Sequence, residues 1–298
     1  MSDFLSVPTL DGRTLEVLTA GPADGYPLLF HSGTPSAPTP YDRIDAALTE
    51  LGLRMVTYSR PGYGRSTPRT LADESGPRIR DDVDDTVAIL DHLGIEDFVT
   101  LGWSGGGPRA LACAALLPER CRAAATLAGV APYGVAGLDW DAGMGEENVE
   151  DFQAATQGAT AYQSLLERTL PPLLTATPDD VVAAFGGLVT PVDAAFLTGD
   201  FADFMSRVFN RAGAQGVVGA RDDGLAIVAP WGFDIETMST PVAIWQGRHD
   251  AMVPFAHGEW LAAHVKGAEA HLFEEEGHLS LFAKLEVILA DLKRLGGV

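Results

Sequence analysis

A serine with glycine two places before it and two places after it, set between an apolar run and an alanine-rich stretch, is the part of this chain best equipped for chemistry. Residues 98–101 (Phe-Val-Thr-Leu) have strand composition, and residues 110–117 have helix composition ending at Pro118. The reading is strand, sharp turn, helix, with Ser104 at the tip. A serine there must adopt a strained backbone, and its neighbours at −2 and +2 must be small because strand and helix nearly touch. Gly102 and Gly106 meet that demand. The turn lifts the Ser104 hydroxyl clear of the sheet. It also aims the Gly105 N–H at the same space, beside a helix N-terminus where developing negative charge is favoured. In a chain with 33 glycines the five-residue pattern arises easily by chance in a loop, so its weight comes from the strand and helix on either side. Neither Gly62-Tyr63-Gly64 nor Gly105-Gly106-Gly107 supplies Gly-x-Gly-x-x-Gly between a strand and a helix, which argues against a nicotinamide cofactor.

A nucleophilic serine needs a base, and the base needs an orienting acid. Seven histidines compete. His92 falls in the last turn of a helix, His257 and His264 share helical spacing with Trp260 and Leu261, His271 lies inside a strand, and His31 precedes a glycine loop. Each of these has a sufficient structural reading. His278 instead follows the strand Ala270-His271-Leu272-Phe273 through Glu274-Glu275-Glu276-Gly277, on a loop at the same sheet edge as Ser104. For the acid, Gln246-Gly247-Arg248-His249-Asp250 comes directly after a strand and before a helix. The loop Gly129-Val130-Ala131-Pro132, after the strand over 122–127, holds no rival. The order is therefore Ser104, Asp250, His278.

The elements that must position these residues alternate. Residues 4–10 and 14–19 form a hairpin around Asp11-Gly12, and strands are expected over 26–30, 54–58, 98–101, 122–127, 241–246 and 270–273, making eight. Helices are expected over 44–51, from Arg80 through Leu93 with Gly94 ending it, over 255–265 and over 279–295. Strands alternating with helices imply an α/β fold: a mostly parallel eight-stranded sheet with helices on both faces. Asp81, Asp82, Asp84 and Asp85 read as a solvated first helical turn that complements the helix dipole. From about residue 133 the alternation stops. Helices are expected over 147–157, 161–170, 178–185, 191–197 and 201–212, an all-helical insertion read as a cap. The expected organisation is core over 1–132, cap over 133–232, and core again over 233–298.

Composition narrows the partners. A net charge of −21, from 41 acids against 20 bases, argues against nucleic acid and against an anionic membrane surface. No stretch approaches 18 uninterrupted apolar residues, and no basic segment followed by an apolar one opens the chain, so a cytoplasmic protein is expected. Cys113 and Cys121 are too few for a disulfide framework, and no His/Cys cluster has zinc spacing, so no metal or other cofactor is expected.

These residues together resemble a capped member of the α/β-hydrolase fold superfamily, and the likeness covers nearly the whole chain. Gly102-Trp103-Ser104-Gly105-Gly106 is similar to the nucleophile elbow, Gly247-Arg248-His249-Asp250 to the acid loop and Gly277-His278 to the histidine loop. Ser32-Gly33-Thr34-Pro35 resembles the family's His-Gly-x-Pro loop, with His31 one place early. The resemblance assigns the second oxyanion-hole N–H to Thr34, beside Gly105, and makes Arg60, in Ser59-Arg60-Pro61-Gly62-Tyr63-Gly64, an anchor. It implies a cofactor-free serine hydrolase acting on an ester, thioester or amide of a small molecule. Serine at the elbow disfavours epoxide opening and dehalogenation, for which the family uses aspartate. Two alternatives stay open. One is an aminopeptidase resembling the proline iminopeptidases, with Glu146 or Glu147 seating the substrate's ammonium. The other is a non-catalytic binder on the same fold.

Overall fold

The computed structural model describes residues 2–298. Strands β1 (Asp3–Pro8), β2 (Thr14–Ala20), β3 (Tyr26–His31), β4 (Leu53–Tyr58), β5 (Phe98–Trp103), β6 (Cys121–Leu127), β7 (Val242–Gly247) and β8 (Glu269–Phe273) make one sheet, ordered β1-β2-β4-β3-β5-β6-β7-β8. The β1–β2 and β2–β4 pairings are antiparallel and all the others parallel. The chain steps from β3 outward to β4, then crosses back over β3 to lay β5 on its other side. The carboxyl ends of β3 and β5 therefore flank the point where the strand order reverses. In open α/β sheets that crevice is where ligands bind.

The central strands are buried on both faces, because their side chains alternate between two layers of helices, while the edge strands β1 and β8 stay largely exposed or half-buried. Leu28, Val99, Leu101, Ala123 and Ala125 pack with α1 (Asp42–Leu51), while Leu29, Phe98 and Ala124 pack with α2 (Asp82–His92) and α3 (Gly107–Leu116). Between β6 and β7 the regular elements among the described residues are all helices. The chain runs through α4 (Glu146–Ala155), α5 (Ala159–Thr169), α6 (Pro171–Leu174), α7 (Val181–Ala184), α8 (Pro191–Phe196), α9 (Gly199–Ala212) and α10 (Val218–Val228). The last layer is α11 (Phe255–His264), on the face of α2 and α3, and α12 (Leu285–Gly296), on the face of α1. Among the described residues no helix is long and apolar enough to cross a membrane.

Several local expectations change. The helix over 178–185 shrinks to α7, and the single helix over 279–295 begins as a 3-10 turn, Ser280–Lys284, before α12. Helix α10 has no counterpart in the sequence reading. Its sequence carries Gly219 and Gly224, which lower helix propensity. Both are there for packing: a Cβ at Gly219 would strike the Tyr63 ring and one at Gly224 the Tyr162 ring. The last change concerns the acids opening α2. Asp82 and Asp85 are buried instead of solvated, each paired with arginines.

The tightest backbone approach lies where β5 meets α3. A Cβ on Gly102 would collide with the Gly106 carbonyl, and one on Gly106 with the His31 carbonyl. Backbone cannot yield as a flexible side chain can. Gly106→Ala is expected to lower the unfolding free energy by about 1–3 kcal/mol, read by urea denaturation. Unchanged stability would contradict so close an approach.

Candidate active site

Ser104 sits between β5 and α3 with φ +54°, a left-handed conformation that a non-glycine residue adopts only when its surroundings impose it. The turn Ser104–Gly106 is one 3-10 turn running directly into α3. Its first N–H groups, Gly105 among them, lie where a helix has no internal acceptors to offer. Ser104 is half-buried, and Trp103 before it turns its indole toward the His278 ring, with centroids 6.1 Å apart.

Asp250 and His278 meet, although 28 residues separate them. Asp250 follows β7, and its Oδ1 accepts the Met252 and Val253 N–H groups at 2.8 and 2.7 Å. Its Oδ2 accepts from the Gln246 amide at 3.1 Å and from His278 Nδ1 at 2.8 Å. A carboxylate so supplied with donors is an acceptor only, so the proton of a neutral His278 stands on Nδ1 and Nε2 is left with its lone pair. Burial pushes the His278 pKa down, but the Asp250 charge and hydrogen bond, with a further contribution from Asp193, outweigh burial and hold it above its ordinary value. Ser104 and His278 line one small cavity of about 50 Å³, together with Gly33, Thr34 and Trp103.

The loop after β3 passes directly over Ser104: a Cβ on Gly33 would come 3.3 Å from the Ser104 Cβ, and one on Gly105 would meet the Thr34 hydroxyl. Among the described residues the Thr34 N–H has no protein acceptor. Arg60, after β4, donates to the Ser32 and Gly33 carbonyls at 2.7 Å each and to Thr34 Oγ1 at 3.2 Å. Thr34 Oγ1 in turn donates to Asp223 of α10 at 2.7 Å. Arg109, in α3, donates to the Gly105 carbonyl at 2.6 Å and pairs with Asp223 at 2.8 Å. Asp223 also pairs with Arg60 at 2.6 Å and accepts from Tyr63 at 2.9 Å. The pairing continues from Arg109 to Asp82 at 2.8 Å, to Arg69 at 2.9 Å, to Asp85 at 2.7 Å and to Arg13 at 2.6 Å. Burial would raise Asp82 and Asp223. The surrounding arginines outweigh it, holding Asp82 at about 2 and Asp223 below its usual range.

A second, larger cavity of about 190 Å³ opens from the same serine, lined by Thr34, Ser104 and Gly105 on one side and by the helical insertion on the other. Three acids of α4 line it: Glu147, Glu150 and Asp151. Glu146 does not line it, and Glu147 accepts the Gly187 N–H at 2.7 Å. Asp151 has no hydrogen-bond or ion-pair partner among the described residues, and burial, then Glu150, lifts its pKa to about 7. Sequence reasoning missed it, although it lies four residues after Glu147 and so on the same helix face. It also missed two buried acids of the insertion: Asp223, the partner of Arg60 and Arg109, and Asp193 in α8. The other histidines stand apart from Ser104's cavities. His31 approaches Cys113 Sγ at 3.5 Å, and His257 bridges the Ala131 N–H and the Trp140 carbonyl. One group of possible metal ligands occurs among the described residues, Glu269 and His271 on the edge strand β8 with Asp291 of α12, and the Arg294 guanidinium already pairs with both of its carboxylates.

Residues 26–285 match the family described as alpha/beta hydrolase fold, and the chain belongs to it. It is similar to an uncharacterized hydrolase of Bacillus subtilis (strain 168), 26% identical over 93% of this chain and 92% of the relative. It is equally similar, at 26% identity, to a non-heme chloroperoxidase of Streptomyces lividans, over 96% of this chain and 97% of that one. Among solved structures, a thermophilic esterase from Thermogutta terrifontis superposes with a TM-score of 0.67 at 16% identity, covering 99% of this chain and 100% of the esterase. An esterase from Exiguobacterium antarcticum gives 0.67 at 17%, over 98% and 99%. At these identities the structural likeness speaks for the fold.

Removing Asp223 would strand two buried guanidinium groups. Asp223→Ala is expected to destabilise the protein by about 3–5 kcal/mol, measured by urea denaturation, with loss of turnover in whatever remains folded. A loss below about 1 kcal/mol, the range of an exposed pair, would contradict the buried network.

Proposed function

We propose that this protein is a serine hydrolase cleaving a carboxylic ester, thioester or amide of a small molecule through an acyl-enzyme on Ser104. The observation that carries this reading is that Ser104, held at positive φ, shares a cavity with a His278 whose Nδ1 is bonded to Asp250. In this reading His278 Nε2 takes the hydroxyl proton as Ser104 Oγ attacks the acyl carbon, and returns it to the leaving group. Asp250 holds the ring and stabilises its charged form. The Gly105 and Thr34 N–H groups receive the developing oxyanion. Water, activated by the same histidine, then releases the acid. The helical insertion, residues 133–232, serves as a cap. The two cavities meeting at Ser104, about 190 and about 50 Å³, suit the two arms of a substrate whose scissile carbonyl lies between them.

A second reading, an aminopeptidase or another hydrolase of amine-bearing substrates, is favoured by Asp151 in place of the acids Glu146 and Glu147. A carboxyl group facing the cavity without a partner is one that a substrate ammonium would ionise and pair with. Proline and alanine β-naphthylamides test it. On this reading Asp151→Asn lowers their kcat/KM by about 30-fold or more, the cost of a lost buried charge pair, and spares a neutral ester. No cleavage by wild type, or equal cleavage by the variant, leaves the ester hydrolase.

Two outcomes are expected for the main reading. Ser104→Ala should lower kcat/KM on a short p-nitrophenyl ester by several orders of magnitude, roughly 10³-fold or more; ordinary activity would rule the mechanism out. The base works only when neutral, and its pKa is raised, so kcat/KM should fall as pH drops through an acid limb with its midpoint above 6.5. A midpoint below that value would contradict the Asp250–His278 pairing.

A further inference from the structure

His278 is gripped from two directions. Asp250 holds its ring; its backbone is held by Asp193, a fully buried residue of α8 in the helical insertion. Asp193 Oδ2 accepts the His278 N–H at 2.9 Å, and Oδ1 accepts the N–H groups of Leu279 and Ser280 at 2.8 and 2.9 Å. Three successive amides of the histidine loop thus converge on one carboxylate, His278 lying 85 residues away from it in sequence. The fit is close on the loop side too: Gly277 has no side chain, and a Cβ there would run into the Asp193 carboxylate. Asp193 is fixed in turn by the start of its own helix, where Thr190 Oγ1 accepts its N–H at 3.4 Å.

We propose that Asp193 is a positioning residue for the general base, through which the seating of the helical insertion sets the place of His278 relative to Ser104. This rests on the serine-hydrolase reading above. The loop carrying His278 would otherwise present three unbonded amides to a buried site, at a cost that the insertion removes only when α8 is docked. An insertion that shifts away therefore disengages the base as well as opening the cavity. The groups facing His278 are Asp250 beyond β7, Asp193 from α8 and the Trp103 indole at the end of β5. On its own loop, Glu276 is engaged with Ser280 and Lys284.

The test compares wild type, Ser104→Ala, Asp193→Asn and Asp193→Glu by rate of fluorophosphonate labelling, by kcat and KM on a short p-nitrophenyl ester across pH, and by thermal melting. An asparagine offers one acceptor oxygen and a donor that opposes an amide N–H. It should therefore lower kcat by about 10–100-fold, as loss of a supporting contact does, with KM within about threefold. Because a negative charge beside His278 is gone, the acid limb should also move to lower pH. Glutamate keeps the charge but is one methylene longer at a fully buried position whose carboxylate already lies against Gly277, so kcat should fall with the limb in place. An Asn variant with wild-type kcat, or one that loses activity with the limb unmoved, overturns the proposal. If the Asn variant does not fold, a folded Glu variant with full kcat overturns it instead. Wild type that is not labelled at Ser104 is a different failure, that of the serine mechanism itself.

Discussion

The buried chain Arg60–Asp223–Arg109–Asp82–Arg69–Asp85–Arg13 is the interaction on which the rest of the site depends. Four guanidinium groups and three carboxylates taken out of water are costly unless each is paired and hydrogen-bonded, and strict alternation of sign accomplishes that. Its value lies less in net stability than in placement. The chain joins the β1–β2 hairpin turn, the start of α2, the elbow helix α3, the loop after β4 and helix α10 of the insertion. Where it ends, it holds the carbonyls of Ser32, Gly33 and Gly105 and the hydroxyl of Thr34. Planar guanidinium forks can bond two acceptors at once in fixed directions, which a lysine in the same position could not do. Only three lysines occur in the chain, at 266, 284 and 293, and none takes part.

Fixing carbonyls is an indirect way of fixing amides. A peptide is planar, so holding the Gly33 carbonyl orients the Thr34 amide that follows it, and pinning the Thr34 side chain fixes that residue from its other end; Arg109 holds Gly105 by its carbonyl, in the peptide after the one that carries the Gly105 N–H. Carboxylates from the helical insertion close this arrangement on both sides of Ser104. Asp223 meets the loop after β3, and Asp193 meets the loop after β8. The sheet supplies the frame: the residues that converge on Ser104 leave β3, β5, β7 and β8 at their carboxyl ends, around the place where the strand order reverses.

Much of this was legible in the sequence, and what was not shares one cause. Period-two and helical patterns, together with turn residues, disclosed all eight strands and the loops bearing Ser104, Asp250 and His278, because those signals are local. Gly102 and Gly106 could be read as a close approach because the serine between them demanded it. Pairing across long separations left no such trace. Asp82 and Asp85 looked like an ordinary acidic helix start, since nothing nearby announced Arg109, Arg69 or Arg13 as partners. Helix α10 was hidden by Gly219 and Gly224, residues suited to contact with Tyr63 and Tyr162 at the expense of helix propensity. Asp193 stands after a plain Pro-Val at the start of a six-residue helix. Its partners are backbone amides, which have no sequence signature at all.

The central claim, that Ser104 becomes acylated during turnover, is tested most directly by quenching the enzyme with acid during hydrolysis of p-nitrophenyl acetate and mapping the adduct by peptide mass spectrometry. The account predicts one acetyl group per chain, on the peptide carrying Ser104, formed in a burst of p-nitrophenol and absent from Ser104→Ala. Hydrolysis at full rate with no acetyl group on that peptide, or with the group on another residue, would contradict it.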